Sequence, residues 1–231
     1  MTTLLLLNGG VGTRAKAGMP KQLVRVNGIP LFIYTLRVAD ELNEINKVVI
    51  NSPKGWEEQI QTLISDYAIK TNIEFVDAGE TRQESVYKML SLVKSESVII
   101  HESARPLVDK NDFKKLIASK SLNVSTVLNI PFTVLKKDCQ SSLLTENLNR
   151  DELVNIQLPQ KFDTNILKLV HNKYNASKQS FTEDASMLIA EGEVVDTLYG
   201  QDKNFKVTTP QDIHLAEYIL SKINDESYSE Q

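Results

Sequence analysis

The chain has 231 residues, enough for one large α/β domain or two small ones with an ample core, and its 41 % hydrophobic and 24 % charged content is that of an ordinary globular protein. A net charge of −4 provides no general basic field for nucleic acid or anionic lipid, so an anionic ligand would need a local cluster of cations. Cys139 is the only cysteine, which excludes an intrachain disulfide and a thiolate metal cluster and fits a reducing cytoplasm; the apolar run at residues 4–7 is too short for a signal or membrane segment.

Thr3–Leu7 reads as a first strand, short, apolar and ended by turn residues. Pro30 suits a first helical position and opens a segment with Leu31, Tyr34, Leu36 and Val38. A strand at Lys47–Asn51, a helix over Trp56–Ser65 with Ile60 and Ile64 on one face, and a strand at Ile73–Val76 follow. Thr81 and Glu84 have capping-box spacing and start a helix near Thr81. Ser97–His101 is the next strand. A helix after Asp109 carries Phe113, Leu116 and Ile117, and Ser125–Leu128 is a further strand. Strands alternating with helices imply a mostly parallel sheet covered on both faces.

Residues 129–157 break this alternation. They are polar, carry little helical period and hold short β-like pieces, so they read either as an arm that packs on a second subunit or as a surface flap. Helices about Asp163–Tyr174 and Thr182–Ala190 come next, the second ended by Gly192. "EVVDTLYG" reads as a strand, and a final helix has Thr209 as cap and Pro210 at its first position. Residues 1–222 are expected to form one domain and 223–231 a disordered tail.

The loop "NGGVGTRAKAGMPKQL" (8–23) follows the first strand, where open parallel sheets bind ligands. It lacks the third glycine of a dinucleotide fingerprint, and Gly18 is followed by Met19 rather than by the lysine of a P-loop. Gly9, Gly10 and Gly12 still allow backbone N–H groups to approach phosphate oxygens, with Arg14 and Lys21 flanking a triphosphate. A glycine-rich turn with two solvated cations is the other reading of the same residues.

Four more segments are expected at the same strand ends: "AGETRQES" (78–85), "HESARP" (101–106), "QLPQ" (157–160) and "GQDKNFKVTTPQD" (200–212). Together with the first loop, and from about Thr3 to Ile219, the chain resembles the polyol-phosphate cytidylyltransferases. That family includes enzymes acting on methylerythritol phosphate and on ribitol phosphate. The resemblance implies a Rossmann-like nucleotidyltransferase fold with a mostly parallel central sheet and a protruding β-arm. It also implies CTP and a polyol phosphate as substrates, Mg²⁺ as cofactor, and a homodimer sharing its active sites through the arm at 129–157.

On this resemblance Arg14 and Lys21 would lie on the triphosphate and Lys206 at the α-phosphate. Gly79, Arg82 and Ser85 would recognise cytosine, and Glu102, an aspartate in relatives, would lie beside Mg²⁺. Arg150, from a neighbouring subunit, and Thr182 would contact the acceptor. Blander readings exist for several of these: Lys206 as a surface lysine, Thr182 as an N-cap, Arg105 as a structural arginine, His101 as a satisfied strand-end histidine. Val134, Leu135 and Leu158 stand where isoprenoid-type relatives carry polar groups, and Ser103 matches the ribitol-type pattern more closely. Ribitol 5-phosphate is therefore the expected acceptor, with methylerythritol 4-phosphate, or a catalytically weak nucleotide-binding homologue, as the alternatives.

Overall fold

The computed structural model describes residues 1–10 and 20–229. Strand β1 (Thr2–Leu7) leads to the first loop, of which 11–19 lie outside the described residues; Pro20 precedes a 3₁₀ turn at Lys21–Leu23. A two-stranded hairpin, β2 (Arg25–Val26) and β3 (Ile29–Pro30), turns at Asn27 and Gly28, both with positive φ, the signature of a tight Asn-Gly turn. Then come α1 (Leu31–Asp40), β4 (Ile45–Ser52), α2 (Glu57–Asp66), β5 (Ile73–Asp77), α3 (Arg82–Leu90), β6 (Ser97–Glu102), α4 (Lys110–Ala118) and β7 (Val124–Asn129). Beyond these lie β8 (Val134–Lys137), β9 (Leu144–Leu148), β10 (Val154–Asp163), α5 (Thr164–Ser177), α6 (Asp184–Ala190), β11 (Asp196–Tyr199) and α7 (Pro210–Ser229).

Among the described residues seven strands form one sheet in the order β11-β7-β10-β6-β1-β4-β5. Every pairing is parallel except those of β10, which runs against both β6 and β7. Alternation along β1 sets the two faces. Leu4 and Leu6 point toward α1, α2 and α4, packing with Leu36, Ile60 and Phe113, while Leu5 points toward α3, α5 and α6, packing with Val86, Leu167 and Leu188. These side chains are all essentially removed from water, so both faces are covered, as the runs of apolar residues imply. A smaller cluster of Val26, Leu31, Leu107, Val207 and Ala216 seats α7 on the β2–β3 hairpin.

The excursion at 129–157 is only partly an arm: β8 and β9 form a separate antiparallel pair, but β10 begins at Val154 and returns to the centre of the sheet. The strand has a bulge between Gln157 and Gln160, around Pro159, which lets a residue without an N–H sit in a central strand. At the end of the described residues, α7 runs on to Ser229, into the stretch expected as a tail.

Candidate active site

At the carboxyl ends of β1, β4 and β6, where strand order reverses direction around β1, lies a cavity of about 670 Å³. Its walls carry Gly9, Lys21, Gly79, Arg82, Glu102 and Lys206, so most of the nucleotide-side residues expected from the sequence converge here. Gly10 and Ser85 line it as well; Gly12 and Arg14 lie outside the described residues.

Close approach explains two of the glycines. A Cβ at Gly9 would stand 2.4 Å from Asn51 Nδ2 and 2.6 Å from Ala78 Cβ, so the ends of β1 and β4 can meet only over a bare backbone. A Cβ at Gly79 would stand 2.7 Å from Ser85 N; instead the Gly79 N–H donates to Ser85 Oγ (3.0 Å), folding the turn onto the start of α3. Thr81 caps that helix through Oγ1, which accepts from the Glu84 N–H, while Glu84 Oε2 accepts from the Glu80 N–H.

Asn8 and Asn51, neither expected from sequence as site residues, tie the strand ends together. Asn8 N–H donates to Asn51 Oδ1 (2.6 Å), and Ser103 Oγ donates to Asn8 Oδ1 (2.6 Å). Their only sequence signal is an asparagine closing each apolar strand.

Glu102 ends β6 with its side chain buried. Oε1 accepts from Lys206 Nζ at 2.9 Å, and Arg105 Nε stands 3.5 Å from Oε2, which is buried and has no hydrogen-bond partner among the described residues. Burial would raise the Glu102 carboxyl, but Lys206, Arg105 and Arg82 outweigh it and hold the group below the usual carboxylate range. Arg105 is indeed structural on its other edge, where Nη1 donates to Asn204 O (2.9 Å).

His101, fully buried beneath the site, meets Phe113 edge-on and bonds Arg105 O through Nε2 (3.2 Å), while its buried Nδ1 has no hydrogen-bond partner among the described residues, so the strand-end histidine is satisfied on one nitrogen only. Burial pushes its pKa from 6.5 down to about 4. A histidine with a lowered folded pKa contributes stability fully above pH 6.5 and loses it as pH falls toward 4, because the unfolded chain takes up the proton first. About 2 kcal/mol should therefore be lost between pH 7 and pH 5. His101→Gln, which keeps a donor for Arg105 O, should shrink that loss in thermal melts at the two pH values.

The loop carrying Lys206 is held from below. Gln157 Nε2 donates to Gln201 O (3.0 Å) and Asn204 O (3.1 Å), Asn204 Nδ2 donates to Leu158 O (2.7 Å), and Val207 N–H donates to Ala104 O (2.8 Å). "QLPQ" thus supports the site rather than lining it, a correction to its expected place. Leu158, 1 % exposed, is a packing residue and not part of the cavity wall.

Other expected residues stand apart. Arg82 lines the cavity, yet its guanidinium pairs with Asp184 (2.7 Å) and Glu183 (3.1 Å). Arg150 is exposed at the foot of the arm, where Nη1 donates to Pro131 O (3.0 Å), outside its own chain's cavity lining. Thr182 is exposed and is not an N-cap, since α6 starts at Asp184 with Glu183 before it.

The family model for IspD, 2-C-methyl-D-erythritol 4-phosphate cytidylyltransferase, matches residues 2–222. The chain belongs to the IspD family. A Bacillus velezensis enzyme named 2-C-methyl-D-erythritol 4-phosphate cytidylyltransferase is 33 % identical over 213 residues, 91 % of this chain and 92 % of that protein. A Clostridium beijerinckii protein of the same name is 33 % identical over 226 residues, 96 % of this chain and all of its own. Among solved structures, the 4-diphosphocytidyl-2C-methyl-D-erythritol synthase of Anaerococcus prevotii superposes with a TM-score of 0.85 at 27 % identity, covering 96 % of this chain and 98 % of that one. The IspD-type enzyme of Thermus thermophilus gives 0.76 at 26 % identity, covering 95 % and 98 %. The sheet is accordingly that of an α/β nucleotidyltransferase, and this IspD-family chain is an enzyme, a cytidylyltransferase. No helix among the described residues is long and apolar enough to cross a membrane.

Proposed function

We propose that the enzyme transfers CMP from CTP to 2-C-methyl-D-erythritol 4-phosphate in the cytoplasm, releasing pyrophosphate. The convergence of Lys21 and Lys206 with the close-approach glycines Gly9 and Gly79 in one cavity carries this reading, alongside the family match over residues 2–222. The nucleophile is a phosphomonoester oxygen, mostly ionised near pH 7 because its second pKa is about 6. No general base is required, which suits a site whose histidine is buried and neutral. The chemistry calls instead for positive charge around the α-phosphate and the leaving pyrophosphate. Lys21 and Lys206 would supply it, with Arg14 from the first loop.

Glu102 would hold Mg²⁺ at the cavity through its buried Oε2, which has no hydrogen-bond partner among the described residues. Mg²⁺ takes one or two carboxylates and completes its shell with phosphate oxygens and water; among the described residues no three acidic, histidine or cysteine side chains converge. Bound there, it would offset the charge of the triphosphate.

The expected preference for ribitol 5-phosphate has lost its footing. Ser103 is buried with its hydroxyl committed to Asn8, so it offers the acceptor no free donor. The relatives cited above are named for the methylerythritol substrate. A homodimer completing each site through the arm is supported by Phe132 (76 % exposed) and Leu144 (65 %), apolar surface on or beside the arm, together with Arg150 at its foot. Pyrophosphate release from CTP and Mg²⁺ with methylerythritol phosphate or ribitol phosphate tests the acceptor. Preferential turnover of the first is expected; exclusive turnover of the second would overturn the acceptor, and no turnover would leave a nucleotide-binding homologue.

A further inference from the structure

Residues 179–183 connect α5 to α6 with no regular hydrogen-bond ladder of their own. Two consecutive side chains at the start of α3 grip them instead. The Gln83 carboxamide donates through Nε2 to Gln179 O (3.0 Å) and accepts through Oε1 from the Phe181 N–H (2.9 Å), engaging the backbone as a neighbouring strand would. Both bonds require the same amide orientation, so the two contacts act together. Arg82 holds the other flank through Glu183 and Asp184. Asp184 is fully buried, and its second oxygen is fixed by His171 Nε2 at 2.8 Å.

Thr182 therefore sits exposed between two clamps that both originate in the first turn of α3. The residues just before that turn, Gly79, Glu80 and Thr81, line the cavity, whereas Gln83 does not. The nucleotide side of the site and the segment carrying Thr182 are thus built on one rigid turn.

We propose that Gln83 is a positioning residue: through the backbone of Gln179 and Phe181 it sets Thr182 for the polyol phosphate, and it links that placement to the nucleotide turn at 79–82. The inference rests on the reading of Thr182 as an acceptor contact. Without the clamp, 179–181 would sample more conformations, weakening acceptor binding, while the cavity that receives CTP keeps its walls. Linkage makes the effect mutual: a nucleotide that orders the 79–82 turn also orders the segment beyond it.

The test compares Gln83→Ala and the shape-preserving Gln83→Met with the wild-type protein, measuring CTP Kd by calorimetry, acceptor KM and kcat by pyrophosphate release, and melting temperature. Both variants should raise acceptor KM about tenfold, with CTP Kd within about twofold and melting nearly unchanged. Unchanged acceptor KM, a parallel loss of CTP binding, or wild-type behaviour of the Met variant would overturn the proposal. Should the wild type turn over ribitol phosphate instead, the acceptor reading fails alone and the same KM split is read on that substrate. Absence of any turnover overturns both.

Discussion

Lys206→Ala should lower kcat for CMP transfer by about 10²–10³-fold, the usual loss when one preorganised charge on a developing anion is removed. The geometry separates this from an effect on folding. Lys206 is 44 % exposed and opens onto the cavity, while Glu102, its partner at 2.9 Å, keeps Arg105 at 3.5 Å after the substitution. The stability cost should be only about 1–2 kcal/mol, read as a melting shift of a few degrees. Near-normal turnover would remove Lys206 from the catalytic machinery. The same variant tests the shared site. If the arm carries Arg150 into the partner's cavity, mixing Lys206→Ala with Arg150→Ala protein creates mixed dimers with one intact site. Random exchange then returns about a quarter of the wild-type rate; no recovery after exchange would place each site within a single chain.

Asp184→Asn should be the most destabilising of the changes considered. Asp184 is fully buried between Arg82 (2.7 Å) and His171 (2.8 Å), and asparagine keeps its shape while leaving the guanidinium without its closest counter-charge. Breaking a buried pair from one side costs about 3–5 kcal/mol, so the melting temperature of a chain this size should fall by roughly 6–20 °C. Burial would raise the Asp184 carboxyl, but Arg82 and His171 dominate and hold it far below the usual carboxylate range. A lowered folded pKa places the stabilisation above the ordinary value of 3.8, to be lost as pH falls through the folded value. The gap between wild type and variant should therefore be full at pH 7 and close only in strong acid. An unchanged melting temperature at pH 7 would mean that Glu183 alone suffices for Arg82.

The strands that build the sheet's centre were readable because 4–6, 48–50 and 98–100 are continuous apolar runs, the mark of strands covered on both sides. β10 was not readable: "VNIQLPQKFD" carries a proline, two glutamines and a lysine, which argue against a central strand. Those groups are tolerated inside because distant backbone answers them. Gln157 finds carbonyls at 201 and 204, and Lys161 Nζ donates to Ser119 O (2.7 Å), capping the end of α4. The same limit applies at the site. Lys21, Lys206 and Glu102 were recognisable from motifs, but the pairing of Arg82 with Asp184 joins segments far apart in sequence and left no local pattern. The Asn27-Gly28 hairpin is different in kind: it was not anticipated, although an Asn-Gly pair is a local signal for such a turn.

Antiparallel β10 has a consequence for how the chain assembles. β7 touches only β10 and β11 within the sheet, so the edge nearest the arm joins the rest through β10 alone. On a ribosome, β7 emerges well before the strand that will connect it, and it must wait while the whole arm is synthesised. Half of the molecule, β1 with β4, β5 and β6, can pair in that interval; the other half cannot begin. Such long-range closure slows folding and leaves an unpaired apolar strand open to neighbouring chains. The arm's length therefore sets a delay in biogenesis, so lengthening or shortening it would alter the yield of folded protein even where the finished site is untouched.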